Sequence, residues 1–294
     1  MHSITINDYT VQVPGKWDEL TADNLRLLSR SFGAGTTEID LKTHIALQML
    51  GLRLKKKEPI IFEGKNYFIA KAKKHKPLFI SAYQLAFILK TLKFLTKKVE
   101  TEGEETSQII ESQLTRQLLP FFRFRMKKYY GPDDRLFNIT LDEYLEADIH
   151  YLAFMKSQDE KELNKLIATL YRKKNNQADT KSPDYSGDIR QPFNEHLIDV
   201  RARKIARMPH ETKLMVFFFF QGCRNFLSAN FPDVFTHTSG ATGRNYGPMS
   251  LVDALSGEDV TKNETIRKTL LYDVMVRLQR AAEAAEELRK NTKT

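Results

Sequence analysis

The apolar stretch Leu214–Phe220, which ends in four consecutive phenylalanines, places the strongest constraint on how this chain folds. A short apolar run fits a strand or a helix, but Phe226 and Leu227 continue the pattern at helical spacing, so we predict a helix over 213–229. A helix that is apolar on every side has to be covered by its own domain or by partner chains. We therefore expect this helix at the centre of the carboxy-terminal half. The stretch is much shorter than the roughly 20 residues that span a bilayer, and no membrane span is predicted.

Length and composition indicate a folded, soluble protein of one large or two ordinary domains. The chain has 294 residues, of which 41% are hydrophobic and 28% charged, which excludes a wholly disordered or collagen-like chain. Its single cysteine, Cys223, excludes an intramolecular disulfide and a CxxC-type zinc or redox site, and it suits a reducing compartment. The amino terminus lacks the basic and apolar regions of a secretory signal. We expect the protein in the cytoplasm.

Local patterns predict a mainly α fold with small β-hairpins in the N-terminal part, a minor α+β component, and a bundle-like helical carboxy-terminal half. Alternating residues around Asn7-Asp8 and on either side of 63–66 predict hairpins over 4–13 and 59–72. Apolar spacing predicts helices over 17–32, with Thr21 as N-cap, and over 41–52. Four capping-box matches predict helices over about 82–96, 141–156, 158–171 and 262–290; they are Ser81/Gln84, Thr140/Glu143, Ser157/Glu160 and Thr261/Glu264.

Polar, turn-forming segments suggest where the domains and loops lie. The acidic segment 100–108 suggests a boundary between an N-terminal α+β region, 1–99, which carries a basic hairpin, and a helical domain, 109–290. Segments 100–108, 173–187 and 236–247 are expected to be mobile loops.

Positive charge is concentrated in the first third of the chain. The formal net charge is +9, and the excess lies mostly between Arg53 and Lys76. This region is either a polyanion-binding patch or a solvated lysine-rich hairpin whose charges discourage edge pairing. A second stretch, 123–130, mixes basic and aromatic residues and fits either base stacking or a strand with one basic face. The candidate polyanion-binding residues are Arg53, Lys55, Lys56, Lys57, Lys71, Lys73, Lys74 and Lys76.

No catalytic signature is present. Asp142, Glu146 and His150 share one face of a predicted helix, but their spacing matches neither a di-iron nor a zincin motif, so an ordinary helix ion pair is favoured. The glycine-rich loop 240–247 lacks the Gly-Lys-Ser/Thr of a phosphate-binding loop. A cysteine inside an aromatic-rich helix is expected to be an inert, buried side chain. The sequence therefore predicts no catalytic residue, no cofactor and no metal, and a protein that is not an enzyme.

Several segments, taken in order, resemble a family of Bacteroidales prophage and phage proteins encoded among tail and virion-assembly genes. The resemblance covers most of the chain and consists of helix caps, turns and core positions, so it carries over no catalytic residue. It implies a role in virion morphogenesis, as a tail assembly chaperone-like factor or a minor tail component. The segments are 13–21, 130–144, 168–172, 187–194, 202–209, 221–226 and 251–255.

The resemblance also implies partners. Phage tail proteins, either the tail-tube or the tape-measure protein, are the expected partners, in the host cytoplasm or in the virion. The last predicted helix, with its closely spaced alanines, either packs on a partner helix or docks on its own domain. Nucleic acid is the alternative partner, through the basic 53–76 region. The sequence leaves the oligomeric state open.

Overall fold

The computed structural model consists of two compact units, each described here by itself. Unit 1 comprises Met1–Leu114 and His210–Phe218, and unit 2 comprises Thr115–Pro209 and Phe219–Thr294. The sequence predicted two contiguous domains separated at 100–108. Unit 1 instead also includes a segment from later in the chain, His210–Phe218. The structure describes residues 1–6, 9–32, 38–55, 59–62, 64–72, 77–99, 107–124, 126–177, 181, 185, 187–236 and 262–292.

Unit 1 contains small antiparallel sheets between short helices. Strands β1 (His2–Ile6) and β2 (Tyr9–Val13) form the predicted first hairpin, with Ile6 opposite Tyr9. In the second sheet β5 (Lys65–Ala72) lies in the middle. It pairs on one side with β3 (Leu52–Leu54) and β4 (Ile60–Phe62) and on the other with β6 (Pro77–Ser81). A further hairpin joins β7 (Thr96–Val99) to β8 (Ser107–Ile110).

The helices of unit 1 are α1 (Ala22–Phe32), α2 (Glu38–Met49) and α3 (Ala82–Thr91), with 3₁₀ turns at Trp17–Glu19 and Leu92–Leu95. Trp17 lies at the core and is 2% exposed. Its indole Nε1 donates to the Phe94 carbonyl at 2.9 Å, and its ring centroid lies 5.9 Å from that of Phe218. The amino-terminal end of the phenylalanine run therefore belongs to the core of unit 1.

Unit 2 begins with a hairpin and continues as helices. Strands β9 (Phe121–Phe124) and β10 (Lys127–Tyr130) pair antiparallel, and 3₁₀ turns lie at Asp134–Leu136 and Glu195–Leu197. Its helices are α4 (Leu141–Ser157), α5 (Glu160–Leu170), α6 (Ile198–Ile205), α8 (Pro232–Thr236), α9 (Asn263–Arg267) and α10 (Leu271–Thr292). Unit 2 also contains the part of α7 (His210–Asn230) from Phe219 onward. The mainly helical class with small hairpins is as predicted.

Helix α7 confirms the helix predicted over 213–229, but residues His210–Phe218 belong to unit 1, so the helix does not lie wholly in the carboxy-terminal half as expected. All four phenylalanines are buried, and Phe219 and Phe220 are each at most 1% exposed. The division between the two compact units falls between Phe218 and Phe219, inside this helix. On the unit 2 side, the ring centroid of Phe220 lies 6.1 Å from Tyr144 and 5.5 Å from Tyr151, both on α4.

The capping boxes were predicted with mixed success. At α3 the box is complete: the Ser81 hydroxyl accepts from the Gln84 backbone N–H, and the Gln84 side chain accepts from the Ser81 backbone N–H. At α4 the Thr140 hydroxyl accepts from the backbone N–H of Glu143 at 3.3 Å, but the Glu143 side chain lies elsewhere, as described below.

The prediction for the start of α5 was wrong. Ser157 is the last residue of α4, and its hydroxyl donates to the Ala153 carbonyl at 2.8 Å. The cap is Asp159, whose carboxylate accepts from the Lys161 backbone N–H at 2.9 Å. Asp is as good an N-cap as Ser, and the Ser157 hydroxyl is already engaged with its own helix.

The last predicted helix, over 262–290, is two helices. Between them the chain leaves the helical path and pairs with the start of α4: the Leu141 N–H donates to the Thr269 carbonyl at 3.0 Å, and the Leu271 N–H donates to the Ile139 carbonyl at 2.9 Å. These bonds satisfy backbone groups that the broken helix leaves open. The proposed cap Thr261 lies outside the described residues.

Candidate functional site

The predicted basic region of unit 1 is described only in part. Arg53 and Lys71 lie opposite each other on β3 and β5, and both are exposed, as is Lys55. The remaining candidates, Lys56, Lys57, Lys73, Lys74 and Lys76, lie outside the described residues. The polyanion-binding patch therefore stays a prediction.

The face of α4 that carries Asp142, Glu146 and His150 forms ion pairs. Asp142 pairs with Arg267 at 2.9 Å. The His150 ring lies between two carboxylates, with Nε2 at 3.2 Å from Glu146 and Nδ1 at 2.7 Å from Glu162. Burial lowers the pKa of His150, but the hydrogen bonds and negative charges of Glu146 and Glu162 outweigh burial and raise its pKa above the ordinary value. This arrangement agrees with the ion-pair interpretation of the pattern.

Two further sequence candidates give no site. Cys223 lies buried in α7, as expected for a packed side chain. The glycine-rich loop 240–247 lies outside the described residues, as do 237–247 of the predicted loop 236–247, 100–106 of the predicted loop 100–108, and parts of 173–187. Where these predicted loops are described at their ends, residues 107–108 belong to β8 and Thr236 ends α8. In segment 173–187 Lys174 pairs with Arg190 through the backbone. Within the described part of the chain, no three His, Cys, Asp or Glu side chains are placed to hold a metal ion.

Unit 2 contains an open cleft of about 750 Å³ that the sequence did not predict. Its walls come from the β9–β10 hairpin, the segment 131–138 that follows it, and the segment 187–189. Three of its apolar side chains are unusually open to solvent: Phe121 is 40% exposed, Phe137 49% and Ile189 39%. The lining residues are Gln117, Pro120, Phe121, Lys128, Tyr130, Gly131, Pro132, Asp133, Asp134, Phe137, Asn138, Gly187 and Ile189.

One wall of the cleft combines rings with a cation. The Lys128 ammonium lies 3.7 Å from the centroid of the Phe121 ring and 5.2 Å from that of Tyr130. A cation at these distances is attracted by the electron-rich ring faces. Lys128 is therefore held against the wall while its charge faces the cleft.

The lining also includes two adjacent carboxylates, Asp133 and Asp134. Asp134 accepts from the Gln117 backbone N–H at 2.6 Å, and the Asp133 backbone N–H donates to the Asn138 side chain at 2.9 Å. Although Asp133 is exposed, desolvation raises its pKa; the charge of Arg190 opposes this, and Asp188 and Asp134 add to the increase. The cleft thus offers rings, one cation and a carboxylate pair to a ligand.

A buried ionic cluster lies behind this cleft. Glu143 is 1% exposed, and it is contacted at 2.7 Å by both Arg172 and Arg190. Asp188 completes the cluster, with the Arg190 Nε 2.8 Å from one of its oxygens. Two guanidiniums and two carboxylates cancel in formal charge, which buried charges require.

The cluster holds the cleft walls in place. Arg190 also donates to the carbonyls of Leu170 and Asn138, at 2.8 and 3.3 Å. Asn138 lines the cleft, and Asp188 lies between the lining residues Gly187 and Ile189. The walls at 138 and at 187–189 are therefore tied to one buried charge network.

Sequence reasoning missed this cluster and assigned Glu143 only a capping role. The available signal was a charged residue beside a mostly apolar segment, such as Arg172, which lies two residues after the end of α5. Three separate segments, 130–144, 168–172 and 187–194, contain all four members. Their charges share no local periodicity, so only tertiary packing reveals the cluster.

Gly131 allows another close contact at the cleft. A Cβ atom at this position would lie 2.6 Å from the Tyr171 ring, so only glycine fits. Tyr171 is fully buried, its hydroxyl donates to the Leu119 carbonyl at 2.7 Å, and its ring stacks on Phe122 at 5.0 Å between centroids. The chain at the base of the cleft is thus packed directly on the core.

No helix in the described part of the chain is long and apolar enough to cross a membrane. Comparison of the chain with protein-family models, with curated proteins and with solved structures found no match.

Proposed function

We propose that this protein acts without catalysis, by holding a partner protein during phage tail assembly, and that the cleft of unit 2 is where the partner binds. The observation that carries the proposal is the group of exposed rings, Phe121 and Phe137, beside a cation and two carboxylates in one cleft. Exposed aromatic side chains that cluster with charged neighbours are typical of protein-binding surfaces. Among the described residues, the cleft lining contains no serine, cysteine or histidine.

The lining also specifies the chemistry of the partner. An extended segment with an aromatic or aliphatic side chain would cover Phe121 and Phe137, and a lysine or arginine on that segment would face Asp133 and Asp134. The family resemblance suggests a tail-tube or tape-measure protein as the source of this segment. A chaperone for tail assembly requires such a surface, because the chaperone must cover the apolar part of a tail subunit until that subunit polymerises.

Co-expression with the neighbouring tail genes, followed by affinity capture, tests the proposal. We expect a tail-tube or tape-measure protein to co-purify, and Phe121→Ser to weaken the complex at least tenfold, because truncated aromatic anchors cost about 2 kcal/mol or more. Phe87→Ser is the matched control, since Phe87 is 56% exposed on α3 of unit 1. Capture of no tail protein, or equal loss with both variants, would refute the proposal.

A further inference from the structure

A second, smaller cleft in unit 2 has a strongly basic lining. It measures about 300 Å³ and is lined by Phe124, Val200, Arg203, Lys204 and Arg207. Phe124 comes from β9, and the other residues lie on α6 or just after it. Lys127 is the cross-strand partner of Phe124, so it extends the same charge along the hairpin.

The positive charges of this cleft are not compensated. Among the residues that the structure describes, Lys127, Lys204 and Arg207 form no ion pair with a carboxylate. The nearby Asp199 is 78% exposed at its side chain and lies 3.7 Å from Lys165. Arg203 makes one long hydrogen bond, at 3.4 Å, to the Asp199 backbone carbonyl.

The pKa of a neighbouring cation, Lys173, reflects the same excess of positive charge. The charge of Lys127 lowers the pKa of Lys173, and burial, Lys204 and Arg201 lower it further. Like charges three residues apart destabilise a helix, so an anion that neutralises Lys204 would relieve its repulsion with Arg201 on α6.

We infer that this basic cleft binds single-stranded nucleic acid, with phosphates on Lys127, Arg203, Lys204 and Arg207 and a base against Phe124. A basic groove with an aromatic side chain is the usual platform for a single strand. The cleft, of about 300 Å³, is far smaller than a duplex, so we expect it to hold one base while the surrounding cations contact successive phosphates of the same strand. The inference is independent of the partner proposed for the larger cleft, and it places the basic site in unit 2 instead of the 53–76 region.

Fluorescence anisotropy with a labelled oligothymidine of about 20 nucleotides tests the inference. With four phosphate contacts, raising NaCl from about 50 to about 200 mM should weaken binding about 50-fold. Lys204→Gln/Arg207→Gln removes two of these contacts, so affinity at low salt should fall at least tenfold, and the salt effect should shrink to about 7-fold. Phe124→Leu keeps an apolar side chain but loses stacking, and it should weaken binding at least fivefold.

The matched control is Lys90→Gln/Lys93→Gln, which removes the same charge from exposed positions of unit 1 outside the 53–76 region and should leave the affinity within about twofold. An equal loss with this control, unchanged binding by the Lys204/Arg207 variant, or a duplex that binds as tightly would each overturn the inference. Competition by polyglutamate as strong as by oligothymidine would also overturn it, in favour of an acidic protein. If the Lys204/Arg207 variant loses helical circular dichroism, Lys127→Gln, which lies outside α6, replaces it. This variant removes one of the four contacts, so the salt effect should shrink to about 18-fold.

Discussion

Replacing Glu143 with glutamine should strongly destabilise unit 2. The carboxylate is 1% exposed and accepts from Arg172 Nη2 at 3.0 Å and from Arg190 Nη1 and Nη2 at 2.7 and 3.3 Å. Glutamine keeps the shape but removes the charge and turns an N–H₂ group toward the guanidiniums. Two buried cations then share one carboxylate, Asp188, which is 16% exposed at its side chain.

The size of the effect follows from the uncompensated charge. Removing one partner of a buried ion pair costs about 3–5 kcal/mol. For a domain of roughly 150–250 residues this corresponds to a melting temperature about 6–20 °C lower. Because Glu143→Gln changes the side-chain volume little, cavity formation contributes little to this loss.

Thermal and urea unfolding followed by far-ultraviolet circular dichroism measure the loss. Glu195→Gln makes the same chemical change on an exposed side chain and should shift the free energy of unfolding by less than about 0.5 kcal/mol. Asp188→Asn should cost less than Glu143→Gln, since Asp188 is partly solvated. A loss below about 1 kcal/mol for Glu143→Gln would show that the guanidiniums do not depend on this carboxylate, and the reasoning would be refuted.

Two further predictions concern His150 and Gly131. Because Glu146 and Glu162 raise the pKa of His150 in the folded state, the folded protein holds this proton above the unfolded pKa of about 6.5. The contribution of this proton to the free energy of unfolding is fully present below that pH and is lost as the pH rises through the folded pKa. We therefore expect the free energy of unfolding to fall less between about pH 6 and pH 8 in His150→Gln than in the unchanged protein. Gly131→Ala forces a Cβ to 2.6 Å from the Tyr171 ring and should cost about 1–3 kcal/mol, measured by urea unfolding.

Each of these variants has a matched control. His196→Gln changes an exposed histidine and should leave unchanged the slope of unfolding free energy against pH. If both histidine variants change this slope equally, the pH dependence does not come from His150. Gly15→Ala makes the same substitution where the new Cβ meets only the exposed ring of His2, which can rotate away. If both glycine variants are equally stable, the Tyr171 contact does not restrict position 131.

Local features of the fold were predictable because their causes lie within a few residues. The hairpin with Ile6 opposite Tyr9, the capping box at Ser81 and the helix that contains Phe217–Phe220 all depend on turn chemistry, hydroxyl caps or apolar spacing. The wrong prediction of Ser157 as the N-cap of α5 has the same origin. Both Ser157 and Asp159 satisfy the capping rule, and the local sequence does not distinguish between them.

The sequence by itself determined the mainly helical class and its small hairpins, since these follow from interactions between near neighbours. Tertiary structure alone decided that Glu143 meets Arg172, Asp188 and Arg190, that segment 268–270 pairs with the start of α4, and that Lys127 joins the cations of α6. These residues are far apart along the chain, and no spacing rule relates them. Their charges and backbone groups find partners only when packing brings the segments together and excludes water.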